Sequence, residues 1–312
     1  MIKRAITISL LVVLALASSS LAQQVIKVGS VPIVHELPLR AAMVNGYFAQ
    51  EGIKIEPEVM AGGGVLVPAL MGGSLQMGQA AYVPVFQARD AGFDIVMVFP
   101  YAQQSQKSDP DAILVRADSP IRTPKDLEGK RFVNNVLKSF NWLYTVEWMS
   151  MNGVNYKKVN FMEAPFPNMV AMLRTNQVDA VAETEPFVTL EMERGDLRIL
   201  GHHITGVEPV VQVSGLVATE RWVRANSALM ERAARALRKG TDYVRAHPEK
   251  WAGILATYTR LKPEWVPKLV MPEWKYPIDL ERLQFVADLS LKWGLIKKKQ
   301  KAADAVWSTA LK

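Results

Sequence analysis

Short runs of continuous or alternating apolar residues punctuate the chain, and between them apolar positions recur every third or fourth residue. VIKVGSV, from Val25, is the first strand-like run. LPLRAAMVNGYFAQEG follows, with Leu39, Met43 and Tyr47 four residues apart and Ala42 and Phe48 beside them. That spacing predicts a helix with one apolar face against a sheet, closed by Gly52 where a left-handed residue ends such helices. IKIEPEVM predicts the next strand, and a glycine cluster with VLVPALMGG the next helix. The βαβα rhythm is that of an α/β domain.

A second α/β series starts near Asp126 with DLEGKRFVNN. It continues with a predicted helix over 139–151, the strand VNFMEA, a helix over 168–175 and the strand VDAVAE. Between the two series, DIVMVFP and DAILVRAD are separated by the polar stretch 103–109, which predicts a sheet edge and a crossover. VVQVSGLVATE reads as a return strand, after which the chain is expected to be helical to its end. Leu229, Ala233, Leu237 and Val244 mark one face over 226–246, and Leu280, Leu283, Val286, Leu289 and Trp293 repeat the pattern. The order predicts two lobes, 25–105 with 213–312 and 106–212. No low-complexity linker separates them, and a hinge between them would be tight.

Composition adds mostly exclusions. Lys3 and Arg4 precede an uncharged run over 5–16, then Ser18, Ser19, Ser20, Leu21 and Ala22. This is the pattern of a secretory signal peptide over residues 1–22, since a retained anchor needs roughly 20 apolar residues. The mature protein is therefore expected to be exported, free and soluble, with no Cys for a lipid anchor. The absence of Cys also excludes thiol catalysis, disulfides and thiolate metal sites. Of 37 basic residues against 30 acidic ones, two lie in the leader, which leaves a mild positive balance. The cluster Lys297, Lys298, Lys299 and Lys301 has no interleaved aromatic residues and reads as a solvated helix end, so no nucleic-acid partner is expected.

Four segments, in order, carry a resemblance: AAMVNGYFAQEGIKIEPEVMAGGG, PALMGGSLQMGQAAYVPV, DSPIRTPKDLEGKRF and MLRTNQVDAVAETEPF. Together they resemble the nitrate/sulfonate/taurine group of periplasmic binding proteins, relatives of the thiamine-pyrimidine-precursor binders. The resemblance implies a two-lobed type II periplasmic binding protein fold, with a mixed sheet in each lobe flanked by helices, a ligand cleft between the lobes and a helical C-terminal region. It further implies a monomeric substrate-binding component of an ABC importer, served by an inner-membrane permease and ATPase. One departure stands out: Leu75 and Gln76 occupy the region where the family usually has Asp.

Several groups are candidates for ligand contact. Ala61 to Gly64 lie between a strand and a helix, where free backbone N–H groups attract anions; Gly63 and Gly64 equally suit a turn that needs a positive φ. His35 follows the first strand, with Ala81, Tyr82, Tyr101 and Gln103 as companions at other strand ends. Ser139 can cap the second lobe's first helix. Phe140 and Trp142 beside it suit either an aromatic ligand surface or the core. Glu183 and Glu185 follow VDAVA at a strand end, where open sheets face their cleft. His202 and His203, adjacent on a predicted strand, point apart and make a poor metal pair.

The glycine loop, Lys138 and the positive balance favour an organic sulfonate or carboxylate, whereas the aromatic rings and glutamates favour a nitrogen ring or an amine. A substituted aromatic acid satisfies both. No metal or cofactor is expected, and no nucleophile–base pair is evident. Enzymes of thiamine-precursor synthesis, as the resemblance implies, need Cys and His around iron, and Cys is absent. A ligand-presenting role toward a sensor would use the same cleft.

Overall fold

The computed structural model describes residues 23–60, 63–259 and 261–312, so the expected leader and Ala61 with Gly62 lie outside the described residues. Strand β1 (Gln24–Ser30) leads through a short 3-10 turn into α1 (Leu37–Val44) and α2 (Tyr47–Gln50). Then come β2 (Ile53–Val59), α3 (Gly63–Met71), β3 (Met77–Ala81), α4 (Tyr82–Asp90) and β4 (Ile95–Ser105). The middle of the chain holds β5 (Asp111–Arg116), β6 (Arg131–Asn134), α5 (Phe140–Met151), β7 (Asn160–Glu163), α6 (Phe166–Arg174), β8 (Ala180–Thr184), α7 (Phe187–Met192) and β9 (Leu197–Gly201). The last part holds β10 (Val210–Thr219), α8 (Glu220–Ala225), α9 (Ser227–Ala246), α10 (Trp251–Leu255), β11 (Glu273–Trp274) and α11 (Leu280–Lys292).

Two mixed sheets result. The first has the order β11-β4-β10-β3-β1-β2, the second β7-β6-β8-β5-β9. In each, the βα units pair in parallel, β1 with β2 and β3, β6 with β7 and β8. The strands that enter and leave pair antiparallel. The chain passes between the sheets twice, after β4 and before β10. These two crossing strands pair with each other from Ile95 opposite Thr219 to Ser105 opposite Val210. The predicted boundary at 212–213 falls inside β10, which joins the first sheet from Val210.

Period-two burial organises the second sheet. Ala112 and Leu114 face Met169, Val170 and Leu173 of α6, while Ile113 and Val115 face Trp148 and Met149 of α5. In the first sheet, Ile26 and Val28 meet Leu39 of α1 and the apolar stripe of α9, including Leu229, Ala233 and Leu237. The predicted faces of α9 and α11 are buried at Val244, Leu283, Val286 and Leu289, but Leu280 is more than a third exposed. Packing also joins the two halves: Phe140, Leu143 and Tyr144 of α5 share one cluster with Leu66, Tyr82 and Phe86 from the first-sheet side.

Three local expectations need correction. The polar stretch expected to separate two apolar runs begins inside β4, where Gln103, Gln104 and Ser105 are buried. Neighbouring strands satisfy these side chains, for Ser105 Oγ donates to Glu273 Oε1 at 2.7 Å and Gln103 Nε2 to Glu273 Oε2 at 3.3 Å. His202 and His203 are not on a strand; they follow the end of β9. The tail past β10 is mainly helical but returns the short β11 to the edge of the first sheet.

Candidate functional site

A cavity of about 490 Å³ opens between the two sheets. Its walls come from the carboxyl ends of parallel strands, where open α/β sheets leave a crevice. Val31, Ile33 and His35 follow β1, Gln79 to Ala81 end β3, Asn135 to Asn141 lead from β6 into α5, and Thr184 ends β8. The antiparallel strands add Asp111 at the start of β5 and Val213 with Ser214 in β10. Much of the lining is apolar, including Val67, Pro68, Pro84 and Phe166, with polar groups set at a few points.

His35 is buried against β10, its Nδ1 3.0 Å from Ser214 Oγ, and its Nε2 has no partner among the described residues. Burial lowers its pKa from 6.5 to about 4, so the imidazole is neutral. Asp111 lines the cavity with 4% of its surface exposed. One carboxylate oxygen accepts from Gln104 Nε2, and its carbonyl lies 2.9 Å from His202 Nδ1. Burial, with the charge of Asp109 next, pushes the Asp111 carboxyl up to about 8. On the α5 side, Asn141 Oδ1 accepts from Asn134 Nδ2 at 2.9 Å and sits 3.0 Å from His203 Nε2. His203 is itself held neutral by burial, at about 3.

Of the residues singled out in the sequence, His35, Ala81, Ser139 and Phe140 meet at this cavity, and Lys138 joins them at the rim. Lys138 is exposed, with a φ of 57°, and its carbonyl accepts from Gln87 Nε2 of α4 at 2.9 Å. Ser139 precedes α5, but its hydroxyl donates to the Val136 carbonyl at 2.7 Å and makes no cap bond. Phe140 belongs to the core as well as the wall, its ring 4.5 Å from that of Tyr144. Gly63 and Gly64 are the first residues of α3.

The other candidates lie away from the lining. Tyr82 is wholly buried behind it, where its hydroxyl donates to the Ser214 carbonyl at 3.0 Å. Tyr101, within β4, is buried in the core. Trp142 stands about 200° around the helix from Phe140 and packs edge-on against Tyr156 and Phe161. Glu183 and Glu185 flank Thr184, and strand alternation gives the cavity Thr184 and takes both neighbours off it. Both glutamates are fully buried, and burial raises their carboxyls. Glu185 accepts from Thr189 N at 3.1 Å and Val270 N at 3.2 Å.

Sequence reasoning passed over Asp111, Gln79, Asn135 and Ser214. Ser214 carried a signal, a small polar residue breaking the apolar run VVQVSGLV; Asp111 stood openly at the head of DAILVR. Among the described residues, no group of three or more His, Asp or Glu is placed to hold a metal ion. None of their helices is long and apolar enough to cross a membrane.

Two mixed α/β sheets with flanking helices, two chain crossings and a crevice at the strand ends define the periplasmic binding-protein fold. The chain belongs to the NMT1/THI5-like family, whose model matches residues 35–251. No curated protein sequence matches it. Among solved structures, the aliphatic sulphonate-binding protein SsuA of Escherichia coli superposes with a TM-score of 0.76 at 20% identity, covering 92% of this chain and 98% of that one. The alkanesulfonate-binding SsuA of Xanthomonas axonopodis pv. citri, bound to MOPS, gives 0.77 at 22% identity, with 91% and 98% covered. The nitrate-binding protein NrtA of Synechocystis PCC 6803 gives 0.77 at 13% identity, with 92% and 87% covered. At these identities the likeness establishes the fold.

Proposed function

We propose that the protein is the periplasmic substrate-binding component of an ABC importer, capturing a small organic solute between its lobes and passing it unchanged to a permease and ATPase. The observation that carries this reading is the cavity, a largely apolar space with a few polar groups, walled by both sheets. That is the composition of small-molecule sites. Only β4 and β10 lead the chain between the sheets, and such a pair of crossings suits hinge closure. The SsuA and NrtA proteins, named for sulfonate and nitrate binding, share the fold and support an uptake role in the periplasm.

The solute has an apolar body to match the walls. An acid group on it has the start of α5 to lie against, where the first N–H groups of a helix lack helical partners, and Lys138 at the rim. The carboxyl groups in and behind the wall weigh against a bare inorganic anion. The absence of Cys, which removes thiol chemistry, supports binding without turnover.

A thermal-shift screen of sulfonates, carboxylates, amines and pyrimidines on the protein lacking residues 1–22 tests the reading, since a ligand selecting the folded, closed state raises its melting temperature. At least one organic class is expected to give a saturable rise with one molecule bound and recovered intact. Stabilisation by divalent metals alone, or chemical conversion of the bound compound, would overturn it.

A further inference from the structure

We propose that Asp111 is the specificity-determining residue of the cavity and receives an N–H-bearing cationic head, so that the captured solute is an organic amine or amidine on an apolar body. This rests on the solute-capture reading and names the class of molecule captured. Two independent features point the same way. Asp111 is an acidic side chain on the wall, nine-tenths or more buried, whose protein contacts leave its carboxyl without any cationic partner. Across the cavity wall, His35 is neutral and offers one hydrogen bond through its unpartnered Nε2, but no positive charge. Among the described lining residues Lys138 is the one cation, and it is exposed at the rim.

The surroundings of Asp111 reinforce its sign. Gln104 of β4 donates to it; Asp109 lies in the preceding connection; Glu183 and Thr184 of β8, and Glu185 just after it, run beside it. From the segment after β9, His202 reaches the Asp111 carbonyl and lies 3.5 Å from Asp109. No Arg or Lys forms an ion pair with any of Asp109, Asp111, Glu183 and Glu185 among the described residues. An anion placed at Asp111 would therefore meet carboxyl groups and a neutral imidazole, whereas a cation would find a carboxyl ready to ionise.

Ionisation gives the binding a signature. Burial holds the Asp111 proton up to about pH 8, and a bound cation favours the carboxylate. Binding at pH 7 then releases that proton to the buffer, and affinity climbs with pH until Asp111 is ionised without help.

The test compares benzylamine, benzyl alcohol and benzenesulfonate, three heads on one ring, by isothermal calorimetry at pH 7 in two buffers of different ionisation enthalpy. Benzylamine is expected to bind at least tenfold more tightly than either of the others and to release close to one proton, as the buffer dependence reads. In Asp111→Asn, benzylamine should lose that advantage and the proton release should vanish, with cooperative unfolding of the variant checked in parallel. Benzenesulfonate or benzyl alcohol binding as tightly as benzylamine, or benzylamine binding without proton release, would overturn the assignment while leaving solute capture intact. So would a failure of benzylamine to bind at about 10 mM, the weak end of measurable affinity. The capture reading itself falls if the whole panel of organic classes leaves the melting temperature unmoved or if a bound compound is chemically converted.

Discussion

Glu36 has no exposed surface, yet it sits directly behind the residues that open the cavity. Ser30 Oγ donates to it at 2.8 Å, Val31 N at 3.2 Å and Arg40 Nε at 3.0 Å, and the Gln79 amide nitrogen turns toward it at 3.0 Å. Arg40, four residues on and stacked over the Tyr258 ring, is its ion-pair partner at 2.9 Å. Burial raises the Glu36 carboxyl even so, with Arg40 the first influence against it. Arg40→Met is expected to cost about 3–5 kcal/mol in urea unfolding, because it leaves a buried carboxyl without its counter-charge. Adding Glu36→Gln should recover part of that loss; no recovery would mean that the arginine acts through packing alone. The pair was visible in the sequence only as two charges at helical spacing. What makes it matter is the burial contributed by Gln79 and Tyr258, far away in the chain. The reverse holds for Glu183 and Glu185, which lie at a strand end but on either side of Thr184, off the cavity lining.

Among the elements, α1 and α9 show how closely the scaffold behind the site is packed. Gly240 of α9 lies where an added Cβ would come 2.3 Å from the Pro38 carbonyl and 2.8 Å from Ala42 Cβ. Backbone on one side and a buried helix on the other leave nothing flexible to move aside. Ala in place of Gly favours an isolated helix by about 1 kcal/mol, but here the clash forces α9 off α1. Gly240→Ala is expected to lower stability by a net 1–3 kcal/mol or so, read as a drop in melting temperature; an unchanged or raised value would show that the two helices can separate at little cost. Both helices were legible from their apolar spacing, as were the strands of the βα units. The polar end of β4 was not, because Gln103 and Ser105 owe their burial to Glu273, some 170 residues later. The facing of Trp142 was equally hidden, since a helix of apolar residues on nearly all sides carries no stripe to read.

At the scale of the molecule, the alternation of strands and helices disclosed the two-sheet architecture, and four ordered motifs its relatives, while the electrostatics of the cavity came only with the assembled walls. Those electrostatics set how the whole protein responds to pH. His35 and His203 have folded values of about 4 and about 3, below the ordinary 6.5, so the unfolded chain binds more protons between those values and 6.5, and their effect is to raise stability as pH climbs through that range. Asp111 does the opposite: its folded value of about 8 lies above the ordinary 3.8, the native state keeps a proton that the unfolded chain has lost, and stability falls with pH across that interval. Glu208, raised to about 7 chiefly by burial, has the same sign, and burial pushes Glu183 and Glu185 in the same direction. Below pH 6.5 the histidines oppose the acids; above it the histidines have finished titrating and the acids act alone. Stability is therefore expected to decline from pH 6.5 to 8, with Asp111 contributing a slope of up to about 1.4 kcal/mol per pH unit. Urea midpoints across that window should shift downward in the wild type and flatten in Asp111→Asn. Equal slopes in the two proteins would mean that Asp111 is already ionised in the folded state, and that the proton lost on unfolding belongs to the glutamates behind it.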